Sequence, residues 1–267
     1  MLRAPAVAGR FYPGHPQELR AMIEGFLEPG ARPAPALAAV CPHAGYIFSG
    51  AVAGKVLSRV QIPSRVLVMG PNHQGLGQRA AVMSQGAWQT PLGAVQLDAR
   101  LGREITGRSA LASEDSLAHR YEHSLEVQVP ILQCLREDFL LTPLCLSMLS
   151  FAECQQLGRD IAGAIKALGE PVLMVASTDM THYESAQQAQ AKDSKALEAI
   201  LALDPQALYR TVTGLNISMC GVLPTTVALV AALELGASAA ELVAYTNSGA
   251  VTGDDREVVA YAGLIVK

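Results

Sequence analysis

Three segments that follow predicted buried strands carry residue types that bind metals and move protons. His43 and His73 each come shortly after an apolar run, and Asp179 and His182 follow a third such run. Because the carboxyl ends of parallel strands lie along one edge of a sheet, we expect these four side chains to converge there. Histidine is the commonest metal ligand and the natural proton carrier near neutral pH. The pattern therefore predicts a metal or acid–base site at this edge.

Two residues outside these strand ends are further candidates. His123 lies in AHRYEHSLEVQ with Glu126 three positions on, and the two fit either a metal-binding pair at a helix start or a capping network. Cys220 lies in a glycine-bearing turn before an apolar helix, where free N–H groups and the helix dipole stabilise a thiolate. A functional and a structural role are equally open for this thiol. The remaining cysteines, in apolar contexts typical of small core residues, are Cys41, Cys134, Cys145 and Cys154.

Composition and absent motifs narrow the class of function. The 267 residues are 50% hydrophobic and 16% charged, with a net charge of −4 and no lysine–arginine cluster, which disfavours nucleic acid and anionic membranes as partners. No Gly-rich dinucleotide turn, phosphate loop or G-x-S-x-G elbow is present. We expect no membrane span, since no apolar run reaches roughly 18 residues, and no signal peptide. Five cysteines without a C-x-x-C pair predict a reduced, cytoplasmic compartment.

Strand and helix patterns alternate along the chain and predict one α/β domain over residues 1–267. Several strands are apolar throughout, as in sheets covered on both faces, so we expect a three-layer α/β/α sandwich around a mostly parallel mixed sheet. Residues 1–35 are expected to form an N-terminal arm and helix that pack on this core. We also expect a loop over 42–50, a turn over 86–93, and a helix over 124–137 whose proline lies near its first turn or at a kink.

A series of multi-residue motifs resembles those of the Memo family, whose prokaryotic members are called AmmeMemoRadiSam system protein B. In chain order they are APAVAGRFYPG, PHAGYIFSG, GPNHQG, WQTPLG, EHSLEVQVP, STDMTHY, a CG pair before a helix, and SGAVTGDDREVVAYAG. The resemblance runs from about Ala4 to Lys267, and its several motifs follow in order, so a chance match is improbable.

The resemblance implies a fold similar to that of the LigB-like class III extradiol dioxygenases, non-haem Fe(II) enzymes that insert O₂ into catechol rings. It also implies one metal ion held by His43, His73 and Cys220, with Fe(II) expected first and copper or zinc as alternatives. The dioxygenases use a carboxylate where Cys220 stands. A thiolate is a softer ligand that favours Cu(I), zinc or a retuned iron.

The resemblance assigns Asp179 and His182 to the pocket, and His123 corresponds by position to a pocket histidine of the dioxygenases. We expect His182 to act as general acid/base, with Asp179 orienting it or a metal-bound water. A helical turn at this point would put the two residues on one face. The residues expected to line the substrate pocket are Tyr46, Phe11 and Glu126.

The expected function is a non-haem iron-dependent, dioxygenase-like oxidoreductase that acts on a small, aromatic or related molecule with O₂. One alternative is a zinc- or copper-binding hydrolase with His182 as its base. The other is a binding or scaffold protein with a vestigial metal site. Iron content with O₂ consumption favours the first function, and zinc with O₂-independence favours the second. The resemblance further implies partner proteins of the AmmeMemoRadiSam system.

Overall fold

The computed structural model describes residues 1–267, which form twelve strands and nine helices. The strands are β1 (Leu2–Arg3), β2 (Ala38–Cys41), β3 (Arg65–Pro71), β4 (Ala80–Val82), β5 (Ala87–Thr90), β6 (Gly93–Gln96), β7 (Ala112–Glu114), β8 (Leu140–Leu146), β9 (Leu173–Ser177), β10 (His182–Glu184), β11 (Ala240–Asn247) and β12 (Val258–Val266). The helices are α1 (Pro16–Glu24), α2 (Tyr46–Ser58), α3 (Ala99–Arg108), α4 (Gln128–Leu135), α5 (Phe151–Leu168), α6 (Ala186–Leu201), α7 (Pro205–Gly214), α8 (Val222–Glu234) and α9 (Gly249–Thr252). None of these helices combines the length and the hydropathy needed to cross a bilayer.

The main sheet has nine strands, in the order β10-β12-β2-β9-β3-β8-β4-β7 with β11 paired along β12. The four central strands, β2, β9, β3 and β8, run parallel to one another. The pairs that flank them, β12 with β2 and β4 with β8, are antiparallel. This arrangement confirms the predicted mixed sheet, whose centre is parallel, and it aligns the carboxyl ends of β2, β9 and β3 side by side.

A separate hydrophobic core lies on each face of the sheet. Along β3, Leu67 and Met69 enter the core covered by α3, α5, α6, α7 and α8, whereas Val66 and Val68 enter the core covered by α1, α2 and α4. Successive strand residues point to opposite faces, so a strand covered on both sides must be apolar throughout. The predicted three-layer α/β/α architecture is therefore confirmed.

The N-terminal arm is attached to the core through one buried acid, Glu126. Its carboxylate accepts hydrogen bonds from the Arg3 guanidinium at 2.6 Å, the Tyr12 hydroxyl at 2.7 Å, and the backbone N–H groups of Ala6 and Val7 at 2.8 and 3.0 Å. The Arg3 and Glu126 side chains are only 5% and 1% exposed. Arg3 is also part of β1, which extends the small sheet β1-β5-β6.

Helix α2 begins earlier than predicted, at Tyr46, so that only 42–45 of the expected loop over 42–50 lies outside regular structure. Gly50, a typical loop residue, is helical because its missing Cβ makes room for a neighbour. A Cβ at this position would lie 2.4 Å from the ring of Phe26. The glycine that suggested a loop is therefore a packing residue.

Two further segments differ from their predicted structure. The expected turn over 86–93 contains β5, and only residues 91–92 turn between β5 and β6. The expected helix over 124–137 is shorter, because 124–127 form turns before α4. Its proline, Pro130, lies in the first helical turn, where a missing N–H breaks no helical hydrogen bond.

Replacing Glu126 with glutamine will destabilise the protein, because Arg3 stays buried without its counter-charge. We expect the free energy of unfolding to fall by about 3–5 kcal/mol in urea denaturation. The control is Glu28→Gln, which breaks a surface ion pair with Arg59 and should leave the stability unchanged. Equal effects of the two substitutions would contradict the anchoring role of Glu126.

Candidate metal centre

Three histidines from separate loops form a cluster at the carboxyl edge of the parallel strands. His43 follows β2, His73 follows β3, and His123 lies in the turns before α4. The donor atoms that these three side chains offer to a metal all lie within 4.8 Å of one another. The rings of His73 and His123 are stacked, with centroids 4.7 Å apart and planes 22° apart. The expected convergence of His43 and His73 is thus seen, and His123 joins them.

Hydrogen bonds assign a tautomer to His43. The Ser177 hydroxyl donates its only hydrogen to the Ser124 carbonyl at 2.6 Å, so it can only accept from the Nδ1 atom of His43 at 3.0 Å. His43 therefore carries its hydrogen on Nδ1, and its Nε2 atom bears the lone pair. Gln128 donates to the same hydroxyl at 2.9 Å and fixes its orientation.

The ring of His73 is oriented in the same sense by a carboxylate. Its Nδ1 atom lies 2.9 Å from Oε1 of Glu122, a buried acid that can only accept when ionised. In both His73 and His43 the outer partner is thus at Nδ1, and Nε2 is the atom turned toward a ligand. An outer partner on one ring nitrogen and a free lone pair on the other is the usual arrangement of metal-binding histidines.

Burial favours the neutral form of two members of the cluster, His43 and His123. It lowers the pKa of His43 well below its ordinary value, and the neighbouring His123 and His73 add repulsion against a second positive charge. Burial also lowers the pKa of His123. Metals bind the neutral imidazole, so His43 and His123 are in their binding form at neutral pH. The side chain of His73 is 31% exposed and marks the open side of the site.

Cys220 contacts the cluster at one member. Its Sγ atom lies 3.2 Å from Nε2 of His43 and accepts the backbone N–H of Asp179 at 3.2 Å. The next residue, Gly221, precedes α8 and has no space for a side chain, since a Cβ would lie 2.3 Å from Thr178. The expected stabilisation of a thiolate is not seen, because burial raises the pKa of Cys220 and favours the thiol in the metal-free protein.

Asp179 supports the loop that carries His43. Its Oδ1 atom accepts the backbone N–H of His43 at 2.7 Å, and burial raises its pKa to about 7. The expected helical turn from Asp179 to His182 is absent, because residues 178–181 are irregular and His182 begins β10. No hydrogen bond joins the two side chains. Asp179 therefore orients His43 and not His182.

His182 lies near the cluster with an unused ring nitrogen. Its backbone N–H donates to Ser218 at 2.8 Å, whereas its Nδ1 atom is buried and has no partner in the protein. Burial lowers the pKa of His182, and the charge of His73 acts in the same direction. The neutral ring can therefore accept a proton near neutral pH.

Of the three residues expected to line a pocket, the structure brings one to the cluster. The ring of Phe11 lies 4.7 Å from that of His123, centroid to centroid. Tyr46 is instead buried in the core, where its hydroxyl donates to the Val127 carbonyl at 2.6 Å. Glu126 instead binds the N-terminal arm through a network of hydrogen bonds. This position agrees with the alternative prediction of a polar network for Glu126.

Sequence analysis missed Glu122 and Ser177, the two outer partners of the histidines. Glu122 directly precedes His123, and this adjacency was the one available signal, but glutamates are mostly exposed. The buried histidine His119 is not part of the cluster. It contacts the Ala81 carbonyl through Nε2 at 3.0 Å and packs against Trp88.

The fold and the site define an α/β protein with a histidine cluster at the carboxyl edge of a mixed sheet. A family model described as Memo-like protein matches residues 3–265. A MEMO1 family protein of Methanopyrus kandleri is 43% identical over 281 aligned residues, which cover 100% of this chain and 99% of that protein. A MEMO1 family protein of Aquifex aeolicus is 42% identical over 268 aligned residues, which cover 99% of this chain and 98% of that protein. The chain belongs to the Memo family, as its motifs predicted.

The fold is also found in a distant solved structure. A crystal structure of an uncharacterized protein from Escherichia coli K12 matches 84% of this chain and 98% of its own, with a TM-score of 0.53 and 14% sequence identity. At this identity the likeness concerns the architecture alone.

The raised pKa of Asp179 predicts a pH-dependent stability of the metal-free protein. From about pH 4 the unfolded carboxyl ionises while the folded one stays protonated up to about pH 7, so stability falls over this range. The substitution Asp179→Asn removes this loss. The free energy of unfolding of the variant minus that of wild type should therefore be larger at about pH 8 than at pH 4, by up to about 4 kcal/mol. Urea unfolding at both pH values measures the difference, and a pH-independent difference would contradict the assignment.

Proposed function

We propose that the chain binds one divalent metal ion between His43, His73 and His123, with Fe(II) the preferred ion, and uses it to oxidise a small molecule with O₂. The observation that carries this proposal is the cluster itself, three imidazoles with donor atoms within 4.8 Å of one another. In two of these rings Nδ1 is bound by another protein side chain, which leaves Nε2 as the atom that faces a ligand. Cys220 is a further donor beside His43.

The donor set fits a transition metal. Imidazole and thiol ligands suit iron, copper and zinc, whereas Mg²⁺ and Ca²⁺ prefer oxygen. Three protein ligands leave coordination positions for substrate and O₂, as in catalytic metal sites. The resemblance to non-haem Fe(II) dioxygenases favours iron among these metals. The bound ion would supply the activation of O₂.

The remaining site residues have roles of their own in this proposal. His182, neutral and with a buried, unpartnered Nδ1, takes up or delivers the proton that substrate oxidation requires. Phe11 offers an aromatic wall beside His123, which suits a planar substrate. Asp179 keeps the His43 loop in position through the backbone.

Elemental analysis after anaerobic purification tests the metal site. We expect one iron per wild-type chain, and strong loss of iron in His73→Asn and in His123→Asn. His15→Asn, at an exposed position, is the control and should keep the metal. If Cys220→Ser loses iron while His123→Asn keeps it, the ligands are instead the two histidines and the cysteine that the family resemblance implies.

His182→Ala should separate turnover from metal binding. The substitution leaves the metal content unchanged but lowers substrate-dependent O₂ uptake by about 10²–10⁴-fold, the usual contribution of a general acid/base. Oxygen-electrode measurements of the iron-loaded variants with a panel of catechols and phenols provide the test. Loss of the metal in His182→Ala would mean that this residue is a ligand.

A zinc-dependent hydrolase is the second candidate, because three histidines also form a known catalytic zinc site. Zinc in place of iron in the purified protein, with activity that does not need O₂, would favour it. If metal binds but no small molecule is turned over, a binding role with partner proteins of the AmmeMemoRadiSam system becomes the better account.

A further inference from the structure

The carboxylate of Glu122 is hydrogen-bonded only by N–H groups of His73, His123 and Ser124. Its Oε2 atom accepts the backbone N–H of His73 at 2.6 Å. Its Oε1 atom lies 2.9 Å from Nδ1 of His73 and accepts the backbone N–H groups of His123 and Ser124 at 2.9 Å each. Nδ1 of His123 lies 3.4 Å from the same oxygen. One carboxylate thus contacts two candidate ligands at both backbone and ring.

The carboxylate is also buried without a permanent counter-charge. The Glu122 side chain is 0% exposed, and no lysine or arginine pairs with its carboxylate. The other deeply buried glutamate, Glu126, is paired with Arg3. A buried ionised group is costly unless a positive charge lies nearby. The buried Arg3 guanidinium reaches the backbone carbonyl of Glu122 at 2.8 Å but forms no ion pair with its carboxylate, so the carboxylate itself faces the cluster.

We propose that Glu122 is the positioning residue of this site: it holds His73 and His123 as one unit, with Nε2 of His73 directed inward, and balances the charge of the bound metal ion. The charge-balancing part rests on the proposed metal site, whereas the orientation of His73 does not. Because the carboxylate ties the loop after β3 to the turns before α4, both ligands shift together when it is altered.

Glutamine at this position cannot replace the carboxylate. The four N–H groups around Glu122 are all donors, and an amide presents its own N–H₂ group to at least one of them. Glu122→Gln therefore removes the negative charge and disturbs the fixed geometry, while the side-chain volume stays the same. Loss of an outer partner of this kind typically weakens metal affinity by about 10–100-fold.

The first test is a Co²⁺ titration of metal-free protein, followed by visible absorption. We expect Glu122→Gln to bind Co²⁺ about 10–100-fold more weakly than wild type. The matched control is Glu126→Gln, at the other buried glutamate, which should lower the melting temperature but leave the Co²⁺ affinity unchanged. Unchanged affinity in Glu122→Gln, or an equal loss in both variants, would overturn the proposal.

The second test needs no variant at Glu122 and no metal. In the ¹H–¹⁵N spectrum of ¹⁵N-histidine-labelled, metal-free wild type, above the ordinary pKa range of histidine, His73 should carry its hydrogen on Nδ1. Its signals are assigned by their absence from His73→Asn. A hydrogen on Nε2 would overturn the orienting role. If wild type binds no Co²⁺ yet His73 shows the expected tautomer, the metal site fails while the orienting role of Glu122 stands.

Discussion

The packing of three imidazoles against one another is the constraint on which the site depends. Rings this close repel strongly if more than one is protonated, so the cluster is stable only when at most one member carries a charge. Burial favours the neutral form of His43 and His123, and hydrogen bonds from the outer layer then select which nitrogen carries the hydrogen. Because a neutral imidazole with a free Nε2 is a metal ligand, the conditions that stabilise the cluster also prepare it to bind.

The parallel centre of the sheet provides the framework for this cluster. β2, β9 and β3 are neighbours that end at the same edge, so the loops that carry His43, Asp179 and His73 emerge side by side. Contacts between these loops then refine the positions. Ser177 at the end of β9 accepts from His43, and Asp179 accepts the backbone N–H of His43. Residues far apart in the sequence are held in place by three adjacent strand ends.

The sequence allowed prediction of the elements whose determinants are local. The buried strands, the three-layer architecture and the convergence of His43 with His73 follow from apolar runs and from the geometry of parallel strands. Contacts between distant segments could not be predicted from the sequence. Glu122 binds His73 across 49 positions, and nothing local distinguishes it from an exposed glutamate. For the same reason Tyr46 and Glu126 were expected in the pocket, although the core and the N-terminal arm bind their polar groups.

X-ray absorption at the iron edge of the anaerobically loaded protein tests most directly whether this cluster holds a metal through histidine nitrogen. We expect scattering from at least two imidazole rings, with iron–nitrogen distances of about 2.0–2.2 Å, close to those of other divalent metals bound by histidine. A first shell of oxygen atoms without imidazole scattering would contradict this expectation.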